Sequence, residues 1–599
     1  MILTQEQQRA VETTAPRVLM LAGAGTGKTH VIAQRAAWLI SHGESQARLM
    51  VTTYTRRAAG EMRARLALTV EEADRMWVGT IHTLMWEAIS QYRAALGYPS
   101  PITLLAPSEQ IELVKELAES LRASVPKDFT RARRSGVHTQ ESRRFLALYE
   151  ARLKAWNALD YDGLIEAAHR LLDLPEPREH LTSRFAHLLL DEGQDIPEVQ
   201  WRWLMRLCVP NTFIVASPAQ QIQTFSGVSR TTLHAYAEGA VLYPLTMSFR
   251  CPKVTLAAAT KVIGPGILQP ETSSERPAAE ALCQWFQRPE EEVAFIAAKI
   301  TERLAAGDPP SSMAVLCRTN ALANEIGERL FIENIQTQVI GPSDVFSLRT
   351  STMVVALIRL AYNRFDDWSW SLLCRLLGVS KLDRVKIEGV RLRDGLTWWE
   401  AAQKWTGAAG KRSTTASLLK AVESLAAWLV DSPGAYVGVE MCLSLLKAIP
   451  LSVGVKDGLY PGREMNERAL LLRQVRMMVE RDPMLTVVDL LTIIAGRSAI
   501  DLYPTNPEAI PVMTVHTAKG LEWPTVFIAG LEDGLFPHRA ALHSQAEIDE
   551  EARILYVAIT RAASRVYLTG SAQRTQFGRT WENKPSRYME AARQTFALS

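Results

Sequence analysis

A glycine-rich segment near the start of the chain, lying between an apolar run and a helical pattern, constrains the fold more than any other feature. Residues 18–21 are consecutive apolar residues typical of a buried strand, and residues 31–40 place apolar side chains at helical spacing. Between them lies the sequence AGAGTGKT, residues 22–29. A strand, a glycine-rich loop and a helix in this order predict a phosphate-binding loop in an α/β domain.

The residue types of this loop suit a polyphosphate. Glycines let the backbone curl so that its N–H groups point inward, and the helix N-terminus adds partial positive charge. Lys28 can reach the β- and γ-phosphates of a nucleotide, and the Thr29 hydroxyl can ligate Mg²⁺. Ala22 stands where the strict pattern has glycine, which is acceptable if that position needs no positive φ. The candidate phosphate ligands are Ala22, Gly23, Ala24, Gly25, Thr26, Gly27, Lys28 and Thr29.

Length and composition limit the class of protein. The 599 residues predict several domains, because single cores stop growing near ~250–300 residues. A formal net charge of only +3 means that any nucleic-acid surface is local. The six cysteines include no close pair, which argues against a disulfide framework or a zinc site and fits a reduced cytosolic protein. The sequence has no uncharged apolar run of ~18 residues, so we predict no membrane span and no membrane partner.

Paired carboxylates follow the apolar strand predicted at residues 185–190. Asp191 can hold Mg²⁺ through water, and Glu192 can orient and deprotonate an attacking water. A charged surface loop is the alternative, but the phosphate loop upstream favours the catalytic interpretation. A further strand, predicted at 212–216, leads to Gln220, whose amide is suited to detect a γ-phosphate.

Two other predicted strands end in residues that suit a nucleic acid. The strand at 49–53 precedes Tyr54 and Arg56, which offer a ring for stacking on a base and a cation for a phosphate. The strand at 76–81 precedes His82. A solvated basic turn and a structural histidine are the alternative interpretations. The strand–helix alternation resumes near residue 246, after a first helical block at 91–165, and a second helical block spans 366–500.

Taken together, these segments resemble superfamily 1 DNA helicases of the UvrD/PcrA/Rep type. The resemblance rests on many ordered motifs between residues 3 and 588. The matching segments are 3–7 (LTQEQ), 22–29 (AGAGTGKT), 53–59 (TYTRRAA), 79–82 (GTIH), 191–195 (DEGQD), 248–250 (SFR), 514–522 (TVHTAKGLE), 534–538 (GLFPH), 551–562 (EARILYVAITRA) and 585–588 (PSRY).

The resemblance implies an α/β fold of two RecA-like parallel-sheet P-loop domains, each with a mainly helical inserted subdomain. ATP and Mg²⁺ would lie in the cleft between these two domains. The expected bounds are 1–90 with 166–245 for domain 1A, 91–165 for insertion 1B, 246–365 with 501–590 for domain 2A, 366–500 for insertion 2B, and 591–599 for a short tail.

The resemblance also implies residue roles. Arg250 and Arg561 would reach the γ-phosphate from the second domain, and such arginines are worth roughly 10³–10⁵ in rate. Gln7 would read the adenine, Phe249 would stack on it, and Glu522 would contact the ribose. The expected DNA contacts are Tyr54, Arg56, His82, Phe225, His516 and Trp581.

Departures from the family pattern leave two functions open. Ser217, Gln223 and Phe225 stand where the family has an acid, a tyrosine and a tryptophan, and the duplex-contacting Gly-Ile-Gly motif is not evident in 366–500. The first function is an ATP-driven 3′→5′ translocase that unwinds DNA at single-strand/duplex junctions in repair, replication or recombination. The second is a DNA-stimulated ATPase subunit, or a nucleotide-gated DNA-binding switch, with protein partners in a repair or phage-defence complex. In either case we expect a cytoplasmic, nucleoid-associated protein, and the absence of a metal-nuclease pattern argues against a nuclease fusion.

Overall fold

The computed structural model divides the chain into two units. It describes residues 3–596 except 99–100, 122–124, 126–128, 130–138, 223–227, 229, 265–271, 278–279, 342–344, 346–347, 410–412, 432–433, 450–460, 482–484, 488–489, 492–493, 495–507 and 577–578. The first unit comprises Met1–Leu84, Arg178–Pro342 and Ser498–Ser599, and the second comprises Met85–Pro177 and Ser343–Arg497. Within the described residues, no helix is long and apolar enough to cross a membrane.

The regular elements alternate along most of the chain. The strands are β1 (Arg17–Ala22), β2 (Leu49–Thr53), β3 (Trp77–Thr80), β4 (Thr103–Leu104), β5 (Ala158–Leu159), β6 (His187–Leu190), β7 (Asn211–Ala216), β8 (Val241–Leu245), β9 (Glu280–Phe286), β10 (Met313–Cys317), β11 (Thr337–Ile340), β12 (Ile510–Thr514), β13 (Trp523–Ile528), β14 (Ala562–Ser571), β15 (Gln573–Gln576) and β16 (Arg579–Glu582). The helices are α1 (Gln5–Val11), α2 (Lys28–Ser41), α3 (Arg56–Ala67), α4 (Ile81–Gln91), α5 (Pro107–Leu121), α6 (Gln140–Ala155), α7 (Tyr161–Leu171), α8 (Pro175–Arg184), α9 (Glu198–Arg206), α10 (Arg230–Ala237), α11 (Lys253–Ile263), α12 (Pro289–Ala305), α13 (Asn320–Ile332), α14 (Arg349–Tyr362), α15 (Asp367–Leu376), α16 (Lys381–Asp394), α17 (Trp398–Ala409), α18 (Thr414–Trp428), α19 (Ala435–Ala448), α20 (Pro461–Arg481), α21 (Gln545–Ile559) and α22 (Arg587–Phe596).

A six-stranded parallel sheet in the order β3-β2-β6-β7-β1-β8 forms the centre of the first lobe, which we define as residues 1–84 and 178–245. Its inner strands are buried along nearly their whole length, as expected for a sheet that is covered on both faces. Because all six strands run the same way, the ends of β1, β2, β6 and β7 lie along one carboxyl edge.

A second six-stranded parallel sheet, in the order β11-β12-β10-β13-β14-β9, forms the second lobe, residues 246–342 and 498–599. Its central strands β10 and β12 are fully buried. The two sheets confirm the predicted fold class. The edge strands β9 and β11 were not predicted from the sequence, because their half-exposed residues lack a continuous apolar run.

The second unit is mainly helical, with one two-stranded parallel ladder of β4 and β5. Glu109 accepts hydrogen bonds from Arg359 (2.8 Å) and from the Trp368 indole (3.1 Å), so a buried polar cluster links α5 to α14 and α15. The resemblance predicts that residues 343–365 belong to domain 2A, whereas the structure groups α14 with the second unit. Helix α14 is buried over most of its length, which explains why it packs within a helical unit.

Candidate active site

The phosphate loop follows β1 at the carboxyl edge of the first sheet. Gly25 (φ 73°) and Gly27 (φ 83°) adopt the left-handed conformation that favours glycine, whereas Ala22 ends the strand without a positive φ. The Thr26 hydroxyl donates to the Gly23 carbonyl (3.0 Å) and closes the turn. The geometry therefore explains why alanine is tolerated at position 22, and helix α2 begins directly at Lys28.

Gln7 lies against this loop, and both ends of its amide are engaged. Its Oε1 accepts from the Thr4 backbone N–H (3.0 Å), and its Nε2 donates to the Thr26 carbonyl (2.9 Å). The first bond belongs to a capping box at the start of α1, as Thr4 at the helix N-terminus predicts. The structure thus gives Gln7 a role in holding the loop, and its reading of adenine stays a prediction.

Thr29 and Asp191 bring a hydroxyl and a carboxylate together beside Lys28. The Thr29 hydroxyl donates to Asp191 Oδ2 (3.0 Å), and Asp191 immediately follows β6. Burial, and then the charge of Glu192, raise the pKa of Asp191 to about 7. Mg²⁺ is commonly held by one or two carboxylates together with phosphate and water, so these donors fit the ion.

Glu192 has the features of a general base. Burial alone would raise its pKa, but Lys28, Lys519 and a hydrogen bond from Gln194 together lower it. Its backbone lies in the left-handed region (φ 54°, ψ 40°), a strained conformation for a residue other than glycine. Gln194 Nε2 donates to Glu192 Oε2 (2.5 Å) and fixes the carboxylate. The side chain is thus ionised and oriented at the carboxyl edge.

Gln220 lies on the same edge, in the short turn after β7. Its side chain is buried, and its Nε2 has no hydrogen-bond partner within the described part of the chain. The Ser217 backbone N–H donates to Gln194 Oε1 (2.7 Å), which ties this turn to the segment that carries Glu192. Phe225, the predicted base-stacking residue that follows, lies outside the described residues.

The segment after β8 runs along the phosphate loop. The Ser248 hydroxyl donates to the Ala24 carbonyl (2.8 Å), and the Phe249 N–H donates to the Gly25 carbonyl (2.9 Å). A Cβ built on Gly25 would lie 2.5 Å from the Arg250 Cβ, so only glycine permits this approach. The Phe249 ring is 43% exposed.

Arg250 and Glu522 form an ion pair, which brings two predicted nucleotide contacts together. Glu522 directly precedes β13 of the second lobe. The pair therefore joins the segment beside the phosphate loop to the second sheet.

Arg561 approaches from the second lobe, just before β14. Its Nε donates to the Val557 carbonyl (3.0 Å) and its Nη1 to the Leu521 carbonyl (3.1 Å), but its buried Nη2 has no partner within the described residues. Burial, and then the charge of Arg250, lower the pKa of Arg561 to about 10. The guanidinium is thus held by carbonyls, and its Nη2 can donate to a further group.

Three cations converge on one place between the lobes. Burial lowers the pKa of Lys28, and the charges of Arg250 and Arg561 act in the same direction, opposed by Glu192 and Asp191. Like charges in a buried site are unfavourable unless an anion compensates them. The cation cluster fits a polyphosphate with Mg²⁺, as do the donors of Gln220 and Arg561 that have no partner among the residues the structure describes.

Two contacts between the lobes were not predicted from the sequence. Lys519 Nζ reaches from the second lobe to Asp195 (2.5 and 2.6 Å), and Arg553 Nε donates to the Gln221 carbonyl (2.8 Å). Both lie within motifs that the resemblance identified. Nothing local in the sequence predicts their partners, which are 324 and 332 residues away.

The predicted DNA contacts fall in three places. Tyr54, Arg56 and His82 follow β2 and β3 on the first carboxyl edge, and His82 Nε2 lies 3.3 Å from Gln200 Nε2. Burial, and then Arg56, lower the pKa of His82 to about 4. His516 follows β12, and burial, then Arg318, lower its pKa to about 4 as well. Both imidazoles are therefore neutral at physiological pH.

Trp581 lies on the hairpin of β15 and β16. It pairs across the hairpin with Arg574, and its ring is 43% exposed, with the Arg539 guanidinium 5.2 Å from the ring centroid. Buried Arg574 forms ion pairs with Glu292 and Glu532, which are both fully buried. The exposed Trp581 ring thus lies on a strand whose neighbour is anchored through the buried ion pairs of Arg574.

Comparison with known proteins gives matches along nearly the whole chain. The family model of the UvrD/REP helicase N-terminal domain matches residues 3–137 and 125–238, and that of the UvrD-like helicase C-terminal domain matches residues 243–394 and 470–573. The ATP-dependent DNA helicase PcrA of Bacillus subtilis is 27% identical over 98% of this chain and 85% of its own length. The PcrA proteins of Staphylococcus epidermidis and Staphylococcus aureus are 26% and 25% identical, over 98% of this chain and 86% of their own lengths.

Proposed function

Because the chain belongs to the UvrD/PcrA-type helicases of superfamily 1, we propose that it is an ATP-dependent DNA helicase that moves 3′→5′ along single-stranded DNA. The observation that carries the proposal is the convergence of Lys28, Arg250 and Arg561 beside Asp191 and Glu192. The first lobe supplies the phosphate ligands and the second lobe supplies the two arginines, so the site is complete only when the lobes are together.

In this proposal the first lobe binds and activates the substrate. The loop N–H groups and Lys28 hold the phosphates of ATP, and Thr29 and Asp191 would hold Mg²⁺, which neutralises phosphate charge when bound. Glu192 accepts a proton from the attacking water, and the Gln220 amide donates to the terminal phosphate. Gln7 is the candidate for reading the edge of the adenine, and Phe249 of the second lobe stacks on the adenine ring.

The second lobe stabilises the charge that develops on the transferred phosphoryl group. Arg561 Nη2 and Arg250 donate to it, so hydrolysis proceeds when the lobes close. Glu522, paired with Arg250, is the candidate ribose contact. After hydrolysis the attraction between the lobes weakens, and each closing and opening cycle advances the protein along the strand.

DNA would be held by stacking and by phosphate contacts. Tyr54 and Phe225 are candidates for base stacking, Arg56 for a phosphate, and His82 and His516 for neutral hydrogen bonds. Trp581 is the candidate contact at the single-strand/duplex junction. Stacking is indifferent to sequence, which suits a motor that must pass every base.

A DNA-stimulated ATPase subunit, or a nucleotide-gated switch with little unwinding of its own, is the second candidate. It is favoured by the departures at Ser217, Gln223 and Phe225, which lie on either side of the γ-phosphate sensor Gln220 and include the predicted stacking position. Without the acid, the tyrosine and the tryptophan that the family has at these positions, we expect weaker coupling between the presence of the γ-phosphate and the stacking of a base.

Strand displacement on tailed duplexes separates the two functions and tests the direction of movement. We expect the protein to displace the partner of a 3′-tailed duplex with ATP and Mg²⁺, and to leave a blunt or 5′-tailed duplex intact. The Glu192→Gln variant should bind the same DNA without displacing it. DNA-stimulated ATP turnover with no displacement would favour the subunit or switch, and displacement from a 5′ tail alone would contradict the polarity.

Trp581→Ala tests the junction contact within the same assay. We expect displacement to slow while ATP turnover on single-stranded DNA stays near the wild-type rate, since one base stack is worth ~1–3 kcal/mol. Trp405→Ala, which removes a tryptophan of the second unit that lies 5.0 Å from Lys386, is a matched control. Equal loss of both activities in Trp581→Ala would contradict a specific junction role.

A further inference from the structure

Lys519 joins the two lobes through three hydrogen bonds. Its Nζ donates to Asp195 Oδ1 (2.5 Å), to Asp195 Oδ2 (2.6 Å) and to the Gln220 carbonyl (2.8 Å). The Lys519 and Asp195 side chains are only 9% and 1% exposed. All three donor positions of the ammonium group are thus used, and each acceptor belongs to the first lobe.

The contact continues from Asp195 to the predicted general base. Gln194 Nε2 donates both to Asp195 Oδ2 (3.1 Å) and to Glu192 Oε2 (2.5 Å). Gln194 Oε1 accepts from the Ser217 N–H (2.7 Å), so the amide cannot rotate without losing all three bonds. A continuous polar chain therefore runs from Lys519 through Asp195 and Gln194 to Glu192.

The same lysine holds the turn that carries the γ-phosphate sensor. It binds the carbonyl of Gln220, and Arg553 donates to the next carbonyl, that of Gln221 (2.8 Å). Two cations of the second lobe thus grip consecutive carbonyls of the first. These bonds hold the backbone from which the Gln220 side chain extends, and its Nε2 donor has no partner within the described residues.

We propose that Lys519 is a cross-cleft positioning residue, which orients Glu192 through Asp195 and Gln194, and Gln220 through its carbonyl, when the lobes are closed. The proposal rests on the proposed ATP hydrolysis and adds a second link between lobe closure and catalysis, apart from the arginines. Lys519 does not touch the reacting atoms. When the lobes separate, the buried Asp195 carboxylate loses its cation, and Glu192 loses its fixed support.

This link offers a route for coupling that does not need the altered residues at 217, 223 and 225. It transmits closure through the Asp-Glu-x-Gln-Asp segment itself. A buried carboxylate without a cation is unfavourable. The pairing of Lys519 with Asp195 therefore favours the arrangement in which the two lobes are closed.

The test is steady-state ATP turnover by the full chain with a saturating thymidine oligonucleotide, at varied ATP. We expect Lys519→Met to lower kcat by about 10²-fold, the cost of a mispositioned catalytic group, with KM for ATP nearly unchanged. Lys519→Arg, which keeps the charge, should recover part of the loss. Lys299→Met is the matched control, because Lys299 pairs with Glu280 and Glu302 inside the second lobe, and its kcat should stay at the wild-type value.

Asp195→Asn supplies an independent arm, because it is nearly isosteric, removes the charge and replaces one of the two acceptor oxygens by a donor. It should lower kcat to a similar extent, and the double variant Lys519→Met/Asp195→Asn should lose little more than either single one. This arm decides the matter if Lys519→Met does not fold.

Several outcomes would overturn the proposal. The first is a kcat of Lys519→Met or Asp195→Asn that equals the wild-type value. The second is a double variant in which the two losses of kcat add. The third is a raised KM for ATP at constant kcat. Wild-type protein without DNA-stimulated turnover would overturn the proposed function together with this inference, whereas normal wild-type turnover with an unaffected Lys519→Met would overturn this inference alone.

Discussion

The two sheets of the first unit face the candidate site with opposite ends of their strands. Lys28, Asp191 and Gln220 follow β1, β6 and β7 at the carboxyl edge of the first sheet. Glu522 and Arg561 instead precede β13 and β14 at the amino ends of two neighbouring strands. Ligands of parallel sheets usually bind at the carboxyl edge, so the first lobe follows the rule and the second does not.

This difference assigns separate tasks to the lobes. The carboxyl edge offers N–H groups, a hydroxyl and carboxylates, which suit phosphate, metal and water. The amino edge offers the Arg561 guanidinium, which is held by backbone carbonyls and suits charge that appears in the transition state. Substitutions at the carboxyl edge of the first lobe should therefore affect binding and the attacking water, and substitution of Arg561 in the second lobe should affect rate alone.

Arg561→Ala should have the largest effect and tests the second lobe. We expect kcat for ATP hydrolysis to fall by ~10³–10⁵, because a cation at the transferred phosphoryl group is lost, while ATP affinity changes little. Steady-state kinetics combined with equilibrium binding of a fluorescent ATP analogue measure both quantities. A large loss of ATP affinity with normal kcat would show that Arg561 binds ATP in the ground state, and would contradict the division of tasks between the two lobes.

Glu192→Gln tests the first lobe at nearly the same position. We expect kcat to fall by ~10²–10⁴, as expected for removal of a general base, with ATP binding retained because the amide preserves the shape. A pre-steady-state measurement of phosphate release distinguishes lost chemistry from slow product release. Turnover within about twofold of wild type would show that another group activates the water.

Arg574→Leu tests how much the cation that pairs with the buried carboxylates of the second lobe contributes to stability. Glu292 and Glu532 are both paired with Arg574, whereas Asp191 and Glu192 crowd together at the carboxyl edge. Removing Arg574 leaves two buried carboxylates unpaired, so we expect a loss of ~3–5 kcal/mol in the free energy of unfolding, measured by urea denaturation. The exposed pair Arg57–Glu61 is the control, and Arg57→Ala should cost at most ~0.5 kcal/mol.

The neutral histidines predict a small pH effect on DNA binding. Because burial lowers the pKa of His82 and of His516 to about 4, neither gains a proton until the pH falls well below 6. We expect affinity for single-stranded DNA at fixed salt to change by less than about twofold between pH 6 and pH 8. A rise on acidification toward pH 6 that disappears in His82→Ala or His516→Ala would show that an imidazolium contacts the DNA.

The first lobe could be predicted from the sequence because its signals are local. The apolar run at 18–21, the glycines after it and the helix from Lys28 are contiguous, and the observed β6 ends directly before Asp191. Apart from Gln7, the predicted site residues of this lobe follow recognisable strands, so their placement at the carboxyl edge could be predicted without any knowledge of the other lobe.

The strand–helix alternation of the second lobe could be recognised in the sequence, but its site residues could be predicted only through family resemblance. Arg561 ends a helical pattern and precedes a strand, a position to which no local rule assigns a catalytic role. The contacts of Lys519 with Asp195 and of Arg574 with Glu292 join residues 324 and 282 positions apart, and such pairs leave no periodic signal. The hydrogen bond from the Gln7 amide to the Thr26 carbonyl could not be predicted from the sequence either, since it depends on how α1 packs on the loop.

The most direct test of the account is the affinity of wild-type and Arg561→Ala protein for ADP alone and for ADP with aluminium fluoride, a mimic of the transferred phosphoryl group. The account predicts that ADP binds both proteins equally, and that aluminium fluoride tightens ADP binding by at least about 10²-fold in the wild type only. Equal tightening in both proteins would contradict the claim that the second lobe meets the terminal phosphate.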